Sequence, residues 1–231
     1  MQISKRLQRV AAQVQSGGVV ADIGCDHGFT SIYLMENQLA KHVIAMDINQ
    51  GPLERAKEHI RQFQMEEDIS VRLSDGAKKL QPGEVDSILI SGMGGGLICK
   101  ILQDSREVIL STKELILSPQ SENYLVRQLL HEMGFSIDRE EMLVDQGKYY
   151  NIIHAIKGEQ HFLQPEEYIY GKYLIEQKDT VLLEFLEKEQ KRVKAILQGM
   201  DKRDLSESAI CQKKELEEKV KLMERTKDII T

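Results

Sequence analysis

The chain has 231 residues, 41% hydrophobic and 29% charged, with a formal net charge of −6. This is an ordinary globular composition, enough for one domain and an appendage, and no apolar run approaches the roughly 20 residues that a bilayer span needs. A broadly basic nucleic-acid module is excluded as well: residues 159–231 carry 14 Lys/Arg and 16 Asp/Glu, and the remainder 17 and 21, so a polyanion would have to meet a local basic patch.

The first residues place Ile3, Leu7, Val10, Ala11 and Val14 on one helical face. They are basic but lack an apolar h-region, and read as a helix on the core rather than a secretory signal. Strand-like runs follow at 19–24, 42–47, 69–73, 85–91 and 113–118. They are Val/Ile/Leu-rich and largely apolar on both faces, as a parallel sheet covered by helices requires. Helical runs lie at 29–39, 52–64, 94–104 and 121–133. Pro52 suits a first turn and Gly134 a C-cap. Residues 135–146 and 149–158, joined at Gly147, read as an antiparallel pair closing the sheet edge. Five βα units and this hairpin predict an α/β fold, the Rossmann-like class I methyltransferase sheet, over residues 1–158.

From residue 159 the texture changes. Pro165 starts a helix; then Leu182, Leu186, Val193, Ile196 and Met200, with Glu189 interrupting, alternate at spacings of three and four. Leu205, Ala209, Leu216, Val220, Met223 and Ile230 repeat the pattern, with Gln212 and Lys227 in seam positions. The pattern predicts a C-terminal α-helical hairpin of coiled-coil type over 159–231, turning near Gly199 and Asp201. Cys25, Cys99 and Cys211 are widely spaced with no C-x-x-C pair. A disulfide framework, zinc ribbon or other metal site is not expected, and a reducing cytoplasm is.

The chemistry concentrates in VVADIGCDHG at 19–28. A buried strand, a glycine turn and a helix make a nucleotide-binding start, but the dinucleotide fingerprint G-x-G-x-x-G needs glycine where Asp26 stands. Carboxylates at Asp22 and Asp26 repel phosphate and suit a cation, which favours S-adenosyl-L-methionine, with its sulfonium and ammonium, over NAD or ATP. In that reading Gly24 admits the methionine portion and Asp22 faces the ammonium; the plain alternative is any tight βα turn. Asp47 ends the second run 25 residues on, near the spacing of a ribose-binding acid. Asp75-Gly76 is placed to receive an adenine amine, or is a simple Asp-Gly turn. Ser91-Gly92-Met93-Gly94-Gly95-Gly96 carries a high backbone-entropy cost; it reads as the surface where substrate and methyl donor meet. It lacks the G-K-[ST] of a phosphate loop and the Asn/Asp-Pro-Pro-aromatic motif of common exocyclic-amine methyltransferases. Cys99, inside the next helix, reads as core rather than nucleophile. His27 is either a ligand contact or a capping residue, and Lys5 and Arg6 read first as a solvated helix face.

DIGCDHG, the acid of IAMDI, SDG, ISGMGGGLI and GKYYNIIHAI, in this order and spacing, resemble the bacterial tRNA adenine-22 N1-methyltransferase family, as does the leading SKRL. The similarity runs from Ser4 to about Lys157 and reaches the tail by architecture only. It implies S-adenosyl-L-methionine-dependent methylation of N1 of a D-loop adenosine in tRNA. Carried onto this chain, the cofactor positions are Asp22, Gly24, Asp26, His27, Asp47, Ile48, Asp75, Gly76 and Ser91, with Arg6 on the cofactor carboxylate. The target base would lie by Ser91, Gly92, Met93 and Gly94. Such proteins usually show Gln-Pro-Asn after the fifth strand; here Ser118-Pro119-Gln120 stands there, still polar, with Ser118 and Gln120 as substrate candidates. Asp26 is the candidate to stabilise the cationic product or take its proton. Lys188, Lys191 and Arg192 cluster on one helix as a tRNA contact, or form a solvated face balanced by Glu184, Glu187 and Glu189. A monomer is expected, with the tail as the surface for any weak dimer, and no membrane partner. A small-molecule methyltransferase and a non-catalytic RNA-binding protein are the alternative functions.

Overall fold

The computed structural model describes residues 3–15, 17–201 and 206–231. They divide into two compact units, Met1–His161 and Phe162–Thr231.

The first unit is built on α1 (Lys5–Ala11), β1 (Val19–Ile23), α2 (Phe29–Glu36), β2 (His42–Asp47), α3 (Gln50–Gln62), β3 (Ile69–Leu73), β4 (Ser87–Ser91), α4 (Gly95–Asp104), α5 (Arg106–Ser111), β5 (Glu114–Ser118), α6 (Asn123–Glu132), β6 (Phe135–Asp145) and β7 (Lys148–Lys157). The strands form one sheet in the order β3-β2-β1-β4-β5-β7-β6. The first five pair in parallel, while β7 runs antiparallel to both β5 and β6. Residues 88–90 and 115–117 are wholly buried, which is why these strands read as unbroken apolar runs rather than alternating ones.

Two connections depart from the expected pattern. Residues 74–86, between β3 and β4, make turns and no helix, so four strand–helix units stand where five were expected. The Arg72 guanidinium closes this loop, donating to both carboxylate oxygens of Glu84 at 2.6 and 3.0 Å and to the Lys79 carbonyl at 2.9 Å. Helix α5 was not anticipated.

The register aligns the strand ends. Ile23 pairs with Met46 and Ile90, Asp47 with Leu73, and Ser91 with Ser118. The turns after β1, β2, β3 and β4 therefore open on one edge of the sheet. Strand order reverses between β1 and β4, and ligands of open α/β sheets bind outside the carboxyl ends at such a switch point.

A polar knot lies inside the apolar layer. The Glu114 carboxylate accepts from Ser87 Oγ at 2.7 Å, the Gln15 amide at 3.0 Å and the His154 ring (Nε2) at 2.8 Å. The other ring nitrogen of His154 meets Asp138. Pairing skips Asp138, passing from Ile137 to Arg139; a bulge of this kind re-aims a side chain. Arg127 and Glu140, both fully buried, pair at 2.7 Å and tie α6 to β6.

The second unit opens with a π-helical turn, Glu167–Gly171, followed by α7 (Lys172–Glu176), α8 (Thr180–Met200) and α9 (Glu207–Ile230). Asp179 and Ser206 cap the two long helices through their side-chain oxygens. Lys178 reaches Thr231, Gln190 reaches Glu224 and Lys213 reaches Asp201, so α8 and α9 run antiparallel. The seam departs from the expected one. Gln190 is buried between Leu186 and Val193, Thr226 is buried on α9, and Ile196 points outward. Glu189 does not break the seam: it sits at its margin, bound by Arg192 and Lys219 at 2.7 Å each. Those two cations hold its carboxyl well below the usual range, at about 2. The turn was expected near Gly199 and Asp201, but Gly199 lies within α8 and Asp201 is its C-cap; residues 202–205, Leu205 among them, lie outside the described residues.

Candidate active site

One cavity of about 530 Å³ opens on the carboxyl edge of the sheet in the first unit. It brings together Arg6 from α1, residues 22–27 of the first turn, Asp47 and Ile48, Asp75 and Gly76, Ser91, Gly92 and Met93, and Gln120. Besides Arg6, residues from five chain segments meet there because the register sets their strand ends level.

The first turn is shaped by backbone. The Gly24 and Cys25 amides both donate to the Met46 carbonyl, at 2.8 and 2.9 Å, and the Gly28 amide donates to the Cys25 carbonyl at 2.8 Å. Gly24 has φ +77°, and a β-carbon there would meet the end of the Met93 side chain. Asp26 has φ +49°, a left-handed conformation that aspartate tolerates better than most residues. It thus holds a glycine-like backbone while placing a carboxylate on the cavity wall. That carboxylate lies 3.6 Å from Arg55 and from the His27 ring.

Asp22 sits deeper, only 2% exposed, and accepts from the Ser31 hydroxyl at 2.7 Å. Burial pushes its carboxyl up to about 6, against the lowering effect of the Ser31 hydrogen bonds. A cation entering beside it would return it to the ionised form. Asp47 uses one oxygen to accept from the Asn49 amide at 2.9 Å, which orients it at the mouth of β2. Asp75 is ion-paired with Lys78, which holds its carboxyl below the usual range. The Ser74 hydroxyl donates to the Gly76 carbonyl at 2.8 Å and pins the turn.

The loop after β4 is latched to the loop after β5. The Gly92 amide donates to the Ser118 carbonyl, the Gln120 amide to the Met93 carbonyl and the Gly95 amide to the Ser121 carbonyl. A β-carbon on Gly95 would stand 2.5 Å from that Ser121 oxygen, so this glycine answers to backbone approach rather than to substrate. Ser91, Gly92 and Met93 line the cavity; Gly94 and Ser118 are not among its lining residues. Gly94 packs against Ser121, and the Ser118 hydroxyl is buried. Cys99 is half-buried rather than core, and burial lifts its thiol to about 11, away from a nucleophile's range.

Arg6 is more than a surface cation. Its guanidinium lies 5.1 Å above the Tyr150 ring, its amide donates to Asp145, and its Nη1 is buried with no hydrogen-bond partner. Tyr150, Arg55, Phe29 and His59 were missed by sequence reading, since nothing local marks them. Lys188, Lys191 and Arg192 belong to the second unit, where all three are exposed and Arg192 grips Glu189.

The described lining sets four carboxylates, Asp22, Asp26, Asp47 and Asp75, against one guanidinium, Arg6. This wall suits a cationic ligand and opposes a pyrophosphate. Ile48 is 60% exposed and Leu97 51% exposed at the same cavity, apolar surface of the kind that suits a flat base. The residues present therefore fit a nucleoside that carries a positive charge.

A doubly wound sheet with a ribose-type acid after β2 and an acidic, phosphate-averse first turn defines a methyltransferase domain, and the methyltransferase-domain family model matches residues 3–153. The chain is 30% identical to the tRNA (adenine(22)-N(1))-methyltransferase of Bacillus subtilis, over 99% of this chain and 98% of the relative. A crystal structure of the B. subtilis m1A22 tRNA methyltransferase superposes with a TM-score of 0.89 at 30% identity, covering 98% of this chain and 99% of that one. A putative tRNA (m1A22) methyltransferase of Streptococcus pneumoniae, solved with S-adenosyl-L-methionine, gives 0.88 at 28% identity, covering 98% and 100%. The chain belongs to the tRNA (adenine(22)-N(1))-methyltransferase family.

Proposed function

We propose that this chain transfers a methyl group from S-adenosyl-L-methionine to N1 of adenine 22 in the D-loop of tRNA. The observation that carries the reading is the single cavity in which the acidic first turn, Asp47, Asp75-Gly76 and Ser91-Gly92-Met93 converge. Asp47 would hold the ribose hydroxyls, Ile48 and Leu97 the adenine faces, and Asp22 the ammonium. Arg6, braced on Tyr150, would take the carboxylate.

Bound S-adenosyl-L-methionine supplies an electrophilic methyl on a sulfonium. Adenine N1 has its own lone pair, so the protein need not remove a proton before attack. Its work is positioning and charge placement. Watson–Crick pairing covers N1, and the base must enter the cavity unpaired or flipped. Ser91, Gly92 and Met93 form the wall it would meet, with Gln120 beside them. The methylated base is cationic, and Asp26 is the carboxylate we assign to stabilise that charge or accept the N6 proton.

We place residues 1–158 as the methyltransferase domain and 159–231 as a coiled-coil-like tail that docks tRNA through Lys188, Lys191 and Arg192. The protein acts as a cytoplasmic monomer in this reading; among the described residues no helix is long and apolar enough to cross a membrane. The test is to incubate the protein with labelled cofactor and bulk tRNA and map N1-methyladenosine. Label at adenine 22 is expected. Label in a metabolite pool, with none in tRNA, would make it a small-molecule enzyme, and absence of cofactor binding would leave only an RNA-binding role.

A further inference from the structure

From the cavity edge, where His27 and Phe29 line it, a ring cluster continues outward to α3. His27 leaves the first turn, Phe29 opens α2 and His59 stands on α3. Ring centroids are 5.6 Å apart for His27–Phe29, 4.6 Å for Phe29–His59 and 5.8 Å for His27–His59, with planes 13°, 20° and 32° from parallel. None of the three is core: the His27 side chain is 38% exposed, and Phe29 and His59 are half-buried. The cluster is held in place by His59 Nδ1, 2.9 Å from the His27 carbonyl. A carbonyl only accepts, so this nitrogen donates and fixes the ring.

One helical turn before His59, Arg55 occupies the same face of α3. Its nearest acid, Asp26, is 3.6 Å away, beyond hydrogen-bond range, so its donors stay available to another anion. A flat, half-exposed aromatic surface with an adjacent guanidinium is the chemistry that holds one nucleotide of single-stranded nucleic acid: base on ring, cation on phosphate. The cofactor accounts at most for its inner edge, because His27 and Phe29 line the cavity while neither His59 nor Arg55 does. The target base does not either. Its N1 must reach the wall at Ser91–Met93 beyond β4, and the strand order puts β1 between that wall and α3.

We infer that His27, Phe29 and His59 form a stacking platform for a nucleotide of the RNA substrate flanking the one that is methylated, with Arg55 contacting its phosphate. This rests on the tRNA reading above. The platform would read no sequence by itself, since every base has a π face; it would hold the strand splayed so that the neighbouring base can enter the cavity.

The experiment compares two substitutions in the full chain. His59→Asn keeps a side-chain donor for the His27 carbonyl and removes the ring; His59→Phe keeps a ring and removes the donor. Affinity for tRNA is measured with cofactor saturating, and cofactor affinity separately by calorimetry. His59→Asn is expected to weaken tRNA binding about fivefold or more, the scale of one lost base–aromatic stack, and to leave cofactor affinity unchanged. His59→Phe is expected to bind tRNA as the parent does. The platform is overturned if His59→Asn binds tRNA normally, if it weakens cofactor and tRNA alike, or if His59→Phe loses as much as His59→Asn. A parent protein that methylates no adenosine in tRNA would instead overturn the tRNA reading itself.

Discussion

The Met93 side chain lies across Gly24: a β-carbon built on that glycine would stand 2.3 Å from the Met93 methyl. The loop after β4 thus closes over the turn after β1, and the two walls of the cavity touch at this point. Gly24→Ala would push the methionine aside and force an alanine into a left-handed backbone, at a cost of about 1–2 kcal/mol. We expect that loss in urea unfolding, together with at least about tenfold weaker cofactor binding by calorimetry. Adding Met93→Ala should relieve the collision and leave the backbone cost. Full recovery of stability in the double variant would refute the strain component.

Asp22 makes a pH-dependent prediction. Burial raises its folded carboxyl to about 6 from 3.8. Between those values the folded state holds a proton that the unfolded chain has released. This group's contribution to stability is full below the lower value and is lost as pH rises through 6. Asp22→Asn should therefore be more stable than the parent at pH 7.5, by on the order of 2 kcal/mol, with the gap closing toward pH 4. The same charge serves the ligand's cation, so the parent's cofactor affinity should fall as pH drops below 6, and the variant's should be weak throughout. Thermal melts and calorimetry across that window decide both points.

Asp47→Ala should cost cofactor affinity by removing the ribose acceptor, on the scale of about 1.5–3 kcal/mol for a hydrogen bond to a charged group. Asp47→Asn, which keeps an oxygen for the Asn49 amide, separates the ligand contact from the turn. Calorimetric affinity unchanged in both variants would remove Asp47 from the site.

Asp26→Asn tests chemistry against binding. If the carboxylate acts on the cationic product, single-turnover methylation should slow by at least about tenfold with both ligands bound normally. A parental rate in the variant would reduce Asp26 to a wall residue.

Glu114→Ala should destabilise the first unit by about 1–3 kcal/mol or more, the scale for leaving buried polar partners (Ser87 Oγ, the Gln15 amide and the His154 ring) without their acceptor. Urea unfolding reads this directly, and a change below about 1 kcal/mol would mean that the His154 ring is satisfied without it.

The sheet was legible because parallel strands covered on both faces must be continuous apolar runs, and 43–46 and 88–90 could be read as such, while ISVRL at 69–73 alternates as an edge strand does. The acids at the strand ends were legible for the same reason: a strand's end fixes where its next residue points. What escaped was whatever depends on distant partners. The ring of His59 finds His27, thirty-two residues away, and Arg6 finds Tyr150 across most of the unit. The run ELILS in β5 is apolar only between its end residues, and only the fold shows that its first, Glu114, is wholly enclosed. The helical seam slipped because Gln190, a polar residue, takes a buried place by bonding Glu224 at 3.0 Å, a pairing that spacing rules cannot weigh. The 74–86 connection was legible only at its Asp75-Gly76 turn, because its closure depends on Arg72 and Glu84, one before it and one inside it.

The knot of Glu114, Ser87 and His154 sets a minimum length for a working catalytic unit. Glu114 is enclosed between β4 and β7, and the ring that answers it belongs to the last strand laid into the sheet. A chain emerging from synthesis can pair β1 to β5 early, but until residue 154 arrives it must leave that carboxylate facing water or bury it without its partner. The parallel half of the sheet thus stays loose until the hairpin is made. Fragments ending after β7 should fold, and fragments ending between α6 and β7 should stay open to protease, although every lining residue of the cavity, from Arg6 to Gln120, is already present in them.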